Sequence, residues 1–208
     1  KGEWILLLDA DEEVSAELAA EIKEVIKKSV DYCRISRKNI IFGKWIKSDH
    51  WWPDYVVRLF KKDHVKWDSK IHSQPLTSGR GLDLVSPIIH YNYASVSEYL
   101  EHLNRYTDKQ LTGVKFNWTC LIEKPTGEFL SQYFARGGYK DGLHGLALAG
   151  LQAISEFVLY LKAWEKERFE VDEVNAKMVN DQIVKSLGDY YWWSENKFKN
   201  KIRKLFGL

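Results

Sequence analysis

Cysteine is scarce in this chain: Cys33 and Cys120 are its only two. Two unclustered thiols exclude a disulfide framework and a zinc-ligand pattern, and they fit a reducing compartment. Charge of one sign is also missing, since 31 Lys and Arg face 29 Asp and Glu for a net +2. Nothing global therefore demands a polyanion, and no nucleic-acid partner is expected. The opening residues carry no signal-peptide pattern, and no stretch is an uninterrupted apolar run of the ~20 residues that a clean bilayer span needs. There is no internal repeat or low-complexity tract. Aromatic residues are abundant, with nine Trp and eleven Tyr, and such side chains serve both sugar stacking and membrane interfaces.

The most informative segment is Leu6-Leu7-Leu8-Asp9-Ala10-Asp11-Glu12-Glu13. The apolar run Trp4 to Leu8 reads as a buried strand that ends abruptly in carboxylates. Aspartates at i and i+2 of a strand end point to one side, where they can share a hard divalent cation. Open α/β sheets also place ligands at the carboxyl ends of their strands. The competing reading makes Asp9 and Asp11 caps of the next helix. Ser15 is better placed for that role, with Glu17 in the first turn.

Residues 1–94 read as α/β. Val14, Leu18, Ile22, Val25 and Ile26 keep helical spacing to about Lys28. Strands are expected at Tyr32–Ser36, Asn39–Lys47, Val56–Phe60, Val65–Trp67 and Ile88–Tyr93. Between them lie an aromatic loop, Asp49–Asp54, and a turn at Gly79-Arg80-Gly81. The chain starts at Lys1, almost directly on a strand, so the expectation is a fragment whose upstream half-domain precedes it.

Residues 95–165 read as helical. Ser95-Val96-Ser97-Glu98 is a capping box, followed by an apolar face of Val96, Tyr99, Leu100, Leu103 and Leu111. Pro125 to Gly127 is expected to break the chain. Leu143 to Trp164 is a long apolar helix interrupted by Gln152, Glu156 and Lys162; it reads as packed on the domain or lying in a membrane interface. The tail, 166–208, ends in a basic amphipathic helix. There Lys197, Lys199, Lys201, Arg203 and Lys204 flank Phe198, Ile202, Leu205 and Phe206, with Trp192 and Trp193 before them. Such helices favour anionic membrane surfaces, each basic residue contributing about 1 kcal/mol. A solvated tail is the alternative.

These pieces resemble a family. Trp4 to Glu13 is similar to the metal-binding acid motif of family 2 glycosyltransferases of GT-A fold, in the bacterial branch that builds lipopolysaccharide core. Trp51-Trp52-Pro53-Asp54-Tyr55-Val56-Val57-Arg58-Leu59-Phe60 resembles that branch's Trp-Tyr-Pro-Asp…Arg-Leu-Phe segment. Lys66-Trp67 with Ile71-His72-Ser73, then Ile89 to Tyr93, Tyr99 to Thr107 and Gly138 to Gly142 follow in the family's order. The resemblance covers about residues 3–165 and implies a partial GT-A, Rossmann-like sheet with a carboxyl-terminal helical region. The family's amino-terminal nucleotide-binding half is not in the chain.

The resemblance implies an inverting, metal-dependent transferase. Its donor would be a nucleotide sugar of the UDP-hexose kind, and its acceptor a lipid-linked or lipopolysaccharide-type glycan. Mg²⁺ or Mn²⁺ would bridge the diphosphate to Asp11, with Asp9 nearer the ribose or sugar and Arg58 holding diphosphate or orienting an acid. Asp54 would be the catalytic base. Trp51, Trp52 and Tyr55 would form the acceptor wall and help raise the base's pKa by desolvation. His72 would be a further metal ligand, with His90 as its rival; Ser73 stands where the branch has Glu. The expected location is cytoplasmic, peripheral to the inner face of the cell membrane. Taken alone, Asp54 reads as a turn residue, Arg58 as an ion-pair partner, and either histidine as a core residue. A phosphohydrolase would show Gly-Thr after its first Asp, and a calcium loop would need Gly where Val14 stands. The remaining alternative is an inactive remnant that binds membrane or glycan.

Overall fold

The computed structural model describes residues 2–66, 75–170, 173–188 and 191. The chain divides into two units, Lys1–Val96 and Ser97–Leu208.

The first unit is a mixed sheet built on one long strand. Strands β1 (Trp4–Leu6), β2 (Glu12–Val14), β3 (Tyr32–Ile41), β4 (Lys44–Trp45) and β5 (Asp54–Lys61) are followed by β6 (Val65–Lys66), β7 (Leu76–Thr77), β8 (Gly81–Asp83) and β9 (Ile88–Tyr93). The sheet order is β1-β5-β3-β9-β2, with β4 and β8 also on β3. β3 thus has β5 and β4 along one edge, both antiparallel, and β8 and β9 along the other, both parallel. The parallel, helix-crossed order of a Rossmann-like sheet is not seen among the described residues; the fold class is α/β with a largely antiparallel sheet.

The two strands expected across Tyr32–Lys47 are one ten-residue strand and a hairpin return. The hairpin loop is Phe42-Gly43, with φ of 51° and 77°. Positive φ at both loop positions matches the right-handed twist of the flanking strands. The acid-run strand is shorter and less buried than expected. β1 stops at Leu6, among the described residues it pairs only with β5, and Ile5, Leu6 and Leu8 are exposed.

Helix α1 (Ala16–Val25) starts where Ser15 predicts, its Oγ accepting from the Leu18 N–H at 3.2 Å. Leu18 and Val25 sink with Cys33, Ile35, Leu59, Leu84 and Ile88 into one cluster. Glu21 ties the helix down by accepting from the N–H groups of Val85 and Ser86, each at 2.8 Å.

The second unit contains α2 (Val96–Gln110), α3 (Cys120–Leu130) and α4 (Leu143–Lys166). On α2 the buried residues are Tyr99, Leu103 and Thr107, at a spacing of four, while Val96 and Leu100 of the expected face are exposed. Pro125 and Gly127 do not break the chain, for α3 runs through both. An interior proline removes one helical hydrogen bond, and packing of α3 along α4 overrides that preference. One π-helical turn, Ser131–Ala135, leads to a left-handed Gly137 and a 3₁₀ turn at Gly138–Asp141. There a Cβ on Gly145 would lie 1.8 Å from the Gly138 carbonyl oxygen, so glycine is required for α4 to start where it does.

Cys33 is fully buried, and burial, with smaller contributions from Glu21 and Asp83, pushes its thiol up to about 11. Since the thiolate is the reactive form, the native chain at pH 8 should consume one equivalent of thiol reagent, at Cys120. Cys33 should react only after unfolding. Equal labelling rates at the two sites would contradict this packing.

Candidate functional site

Residues 7–11 carry the chain from the flank of β5 to that of β9. The Leu7 N–H donates to the Arg58 carbonyl at 2.8 Å, and the Tyr91 N–H donates to the Asp11 carbonyl at 2.9 Å. Between these anchors the Glu12 N–H closes a turn on the Asp9 carbonyl at 3.1 Å. The two aspartates therefore belong to a turn tied to both strands, not to a strand end, and they take different partners.

Asp9 meets Arg58. Consecutive pairs between β3 and β5 are Cys33↔Leu59 and Arg34↔Val57, which leaves Arg58 as the extra residue of a β-bulge. Bulges re-aim a side chain. This guanidinium, buried to 9% exposure, donates through Nη2 to Asp9 and, at 2.7 Å, to Glu12 Oε1. The Glu12 side chain is fully buried, whereas that of Asp9 is 55% exposed. Burial draws the Arg58 pKa down, but its bonds to Glu12 and Asp9 outweigh that and leave it raised. Glu12 Oε2 also accepts from the Asp9 N–H at 3.1 Å.

Asp11 meets His90. The two-residue period of β3 points Cys33 and Ile35 into the core and brings Arg37 and Asn39 to the same side farther along. Asn39 is paired with His90, which is paired with Glu12, so a row of polar residues crosses three strands. Asn39 is buried; its Nδ2 donates to the Trp51 carbonyl at 2.8 Å, which fixes Oδ1 as the acceptor facing His90 Nδ1 at 2.6 Å. Nδ1 therefore carries hydrogen. The other ring nitrogen, Nε2, faces Asp11 Oδ2 at 3.3 Å.

Asp54, at the start of β5, is held by Arg37, whose Nε and Nη2 lie 2.8 and 2.5 Å from Oδ2. A direct counter-charge thus accompanies the desolvation expected from the aromatic loop. Trp52 packs edge-on against Trp45 at 5.1 Å and Trp51 against His50 at 5.0 Å. Tyr55 alternates to the other side of β5 from Asp54 and lies under Arg34 at 5.5 Å. Trp51 and Trp52 stand beside Asp54 in sequence, but Tyr55 belongs to a different face. His72 lies outside the described residues.

Among the described residues no group of three or more His, Cys, Asp or Glu is placed to hold a metal ion. Glu12, Arg37 and Asn39 were not foreseen. The available signal was polar residues at inward positions of β3, where Arg37 and Asn39 interrupt the apolar alternation Cys33, Ile35, Ile41.

Removing one member of a buried ion pair strands the other charge, at a cost of about 3–5 kcal/mol. Because Asp9 still faces Arg58, Glu12→Gln should cost about 3 kcal/mol, the lower end. The urea midpoint reads the loss. An unchanged midpoint would mean that Arg58 does not depend on Glu12.

Comparison with known proteins finds two distant relatives of named type. The chain is 23% identical over 173 residues to the lipopolysaccharide core biosynthesis glycosyltransferase LpsC of Rhizobium meliloti, covering 78% of this chain and 64% of that protein. It is 24% identical over 183 residues to an uncharacterized glycosyltransferase of Rickettsia typhi, covering 79% of this chain and 63% of that protein. The chain thus spans a little under two thirds of the length of these curated relatives. No family model and no solved structure matches it. Its similarity is to proteins named glycosyltransferases.

Proposed function

We propose that this chain belongs to an inverting family 2 glycosyltransferase of GT-A type, acting on a lipid-linked or lipopolysaccharide-type glycan at the cytoplasmic face of the membrane. The observation that carries the reading is the acid turn. A buried Arg58 and a buried His90 each hold one half-exposed aspartate at the junction of β5 and β9, in a chain whose relatives are named glycosyltransferases.

The turn suits a nucleotide sugar with Mg²⁺ or Mn²⁺. Mg²⁺ engaged with a diphosphate takes most of its ligands from phosphate and water and one or two from carboxylates. Asp11, 48% exposed, offers one such carboxylate, and His90 Nε2 lies 3.3 Å from it. When bound, the ion offsets charge on the departing diphosphate. Arg58 is committed to Asp9 and Glu12, so its part is to fix the turn and orient Asp9 toward donor hydroxyls. Asp54 takes the proton of the acceptor hydroxyl. To do so it must loosen from Arg37, which then receives the acceptor's neighbouring oxygens. Trp51 and Trp52 supply an apolar wall for a sugar face.

The ion pair between Arg37 and Asp54 is also what favours the second reading, an inactive remnant whose base is locked in a structural contact.

Calorimetric titration with UDP-hexoses separates the two. Binding should require Mn²⁺ and vanish in Asp11→Asn. Asp54→Asn should keep donor binding and lower transfer by about a hundredfold or more. Donor binding unchanged in Asp11→Asn contradicts the assignment, and no binding by the parent chain favours the remnant.

A further inference from the structure

The second unit holds an apolar cavity that the donor and acceptor roles assigned to the first unit do not involve. Its volume is about 370 Å³, and its wall is Phe116, Trp118, Leu121, Ile122, Trp164 and Val179, with Glu170 also lining it. The Phe116 and Trp164 rings stack at 5.8 Å, and Phe169 packs edge-on against Trp164 at 5.1 Å. Polar atoms of the wall satisfy one another. Trp164 Nε1 donates to the Glu170 carbonyl at 2.8 Å, and the Phe116 N–H donates to Glu167 Oε1 at 3.1 Å. What faces the cavity is carbon. It is open to solvent on one side, and its volume is ample for an apolar chain lying against carbon.

The cavity lies at the end of an exposed apolar stripe. α4 buries Gly145, Leu148, Ala149, Leu159 and Ala163. On its opposite side Leu143, Leu146, Ile154 and Phe157 are 77%, 42%, 46% and 41% exposed, and the same helical spacing continues to Trp164 in the cavity wall. A surface helix ordinarily turns polar residues outward. α4 is the one helix among the described residues long and apolar enough to cross a membrane. It is nevertheless moored to α2, Lys162 Nζ bonding the Asn104 carbonyl at 2.7 Å and Asp108 at 2.6 Å, which suits a helix lying along a bilayer surface. The chain's last residues carry Lys197, Lys199, Lys201, Arg203 and Lys204 without an acid among them, a charge complementary to anionic headgroups.

We propose that this cavity seats one acyl chain of an anionic membrane lipid while the stripe of α4 lies in the bilayer interface. The inference needs nothing from the donor site, so its failure leaves that assignment untouched.

The test uses the full chain and vesicles of phosphatidylcholine with or without phosphatidylglycerol. The chain should float with the anionic vesicles, and the double variant Ile154→Glu/Phe157→Glu should reduce partitioning about tenfold or more at an unchanged melting temperature, both residues being exposed. Brominated acyl chains should quench tryptophan emission, and the quenching should fall in Trp164→Phe and in Trp118→Phe while flotation persists. The proposal is overturned by any of three results. These are no flotation, quenching indifferent to both tryptophans, or light scattering that shows a dimer covering the stripe with no vesicle binding.

Discussion

A guanidinium with little access to water sits at the centre of the first unit. Arg58 is pushed out of the β3–β5 register by a bulge, and the position it reaches is tenable only because Glu12 and Asp9 supply negative charge there. An arginine cannot shed its proton to escape burial, so the acid turn must come to it. The turn is then fixed by its own backbone at both ends, to β5 through Leu7 and to β9 through Asp11. One charged side chain thereby decides where the chain crosses between two strands, and where the exposed carboxylates are presented.

The second anchor works by hydrogen-bond direction. Asn39 can satisfy the Trp51 carbonyl and His90 only with its amide oriented one way, and that orientation assigns a hydrogen to His90 Nδ1. Nε2 is left facing Asp11. The aromatic loop, the central strand and the acid turn are coupled through these bonds. Under the proposed glycosyl transfer this coupling would have a purpose, since both substrates must be held against the same few residues.

Much of the local structure was legible in the sequence. Ser15 marked the start of α1, Leu18 and Val25 marked its buried face, and Leu143 opened the long helix where the structure has it. What escaped was long-range. No local pattern distinguishes a central strand from an edge, so the Trp4–Leu8 run reads as buried although among the described residues β1 has only β5 beside it. Pro125 and Gly127 were strong local signals that packing against α4 overrode. At the site, Asp9, Asp11 and Arg58 could be picked out as chemistry, but their partners lie on strands tens of residues away. Glu12 has no role of its own in the sequence reading of the acid run, and only the fold reveals that it is the buried counter-charge.

The second unit complements this polar site with carbon: a helix apolar on two sides, and a cavity lined by tryptophan. In the proposed function, the turn held by Arg58 and His90 is a surface for a nucleoside diphosphate. ¹⁵N spectroscopy of the His90 imidazole and the backbone during titration with UDP and Mg²⁺ tests this. His90 Nε2 and the amides of residues 9–13 should shift together and saturate at one ligand concentration. An imidazole that stays still while shifts gather elsewhere, or a chain that shows none, would contradict it.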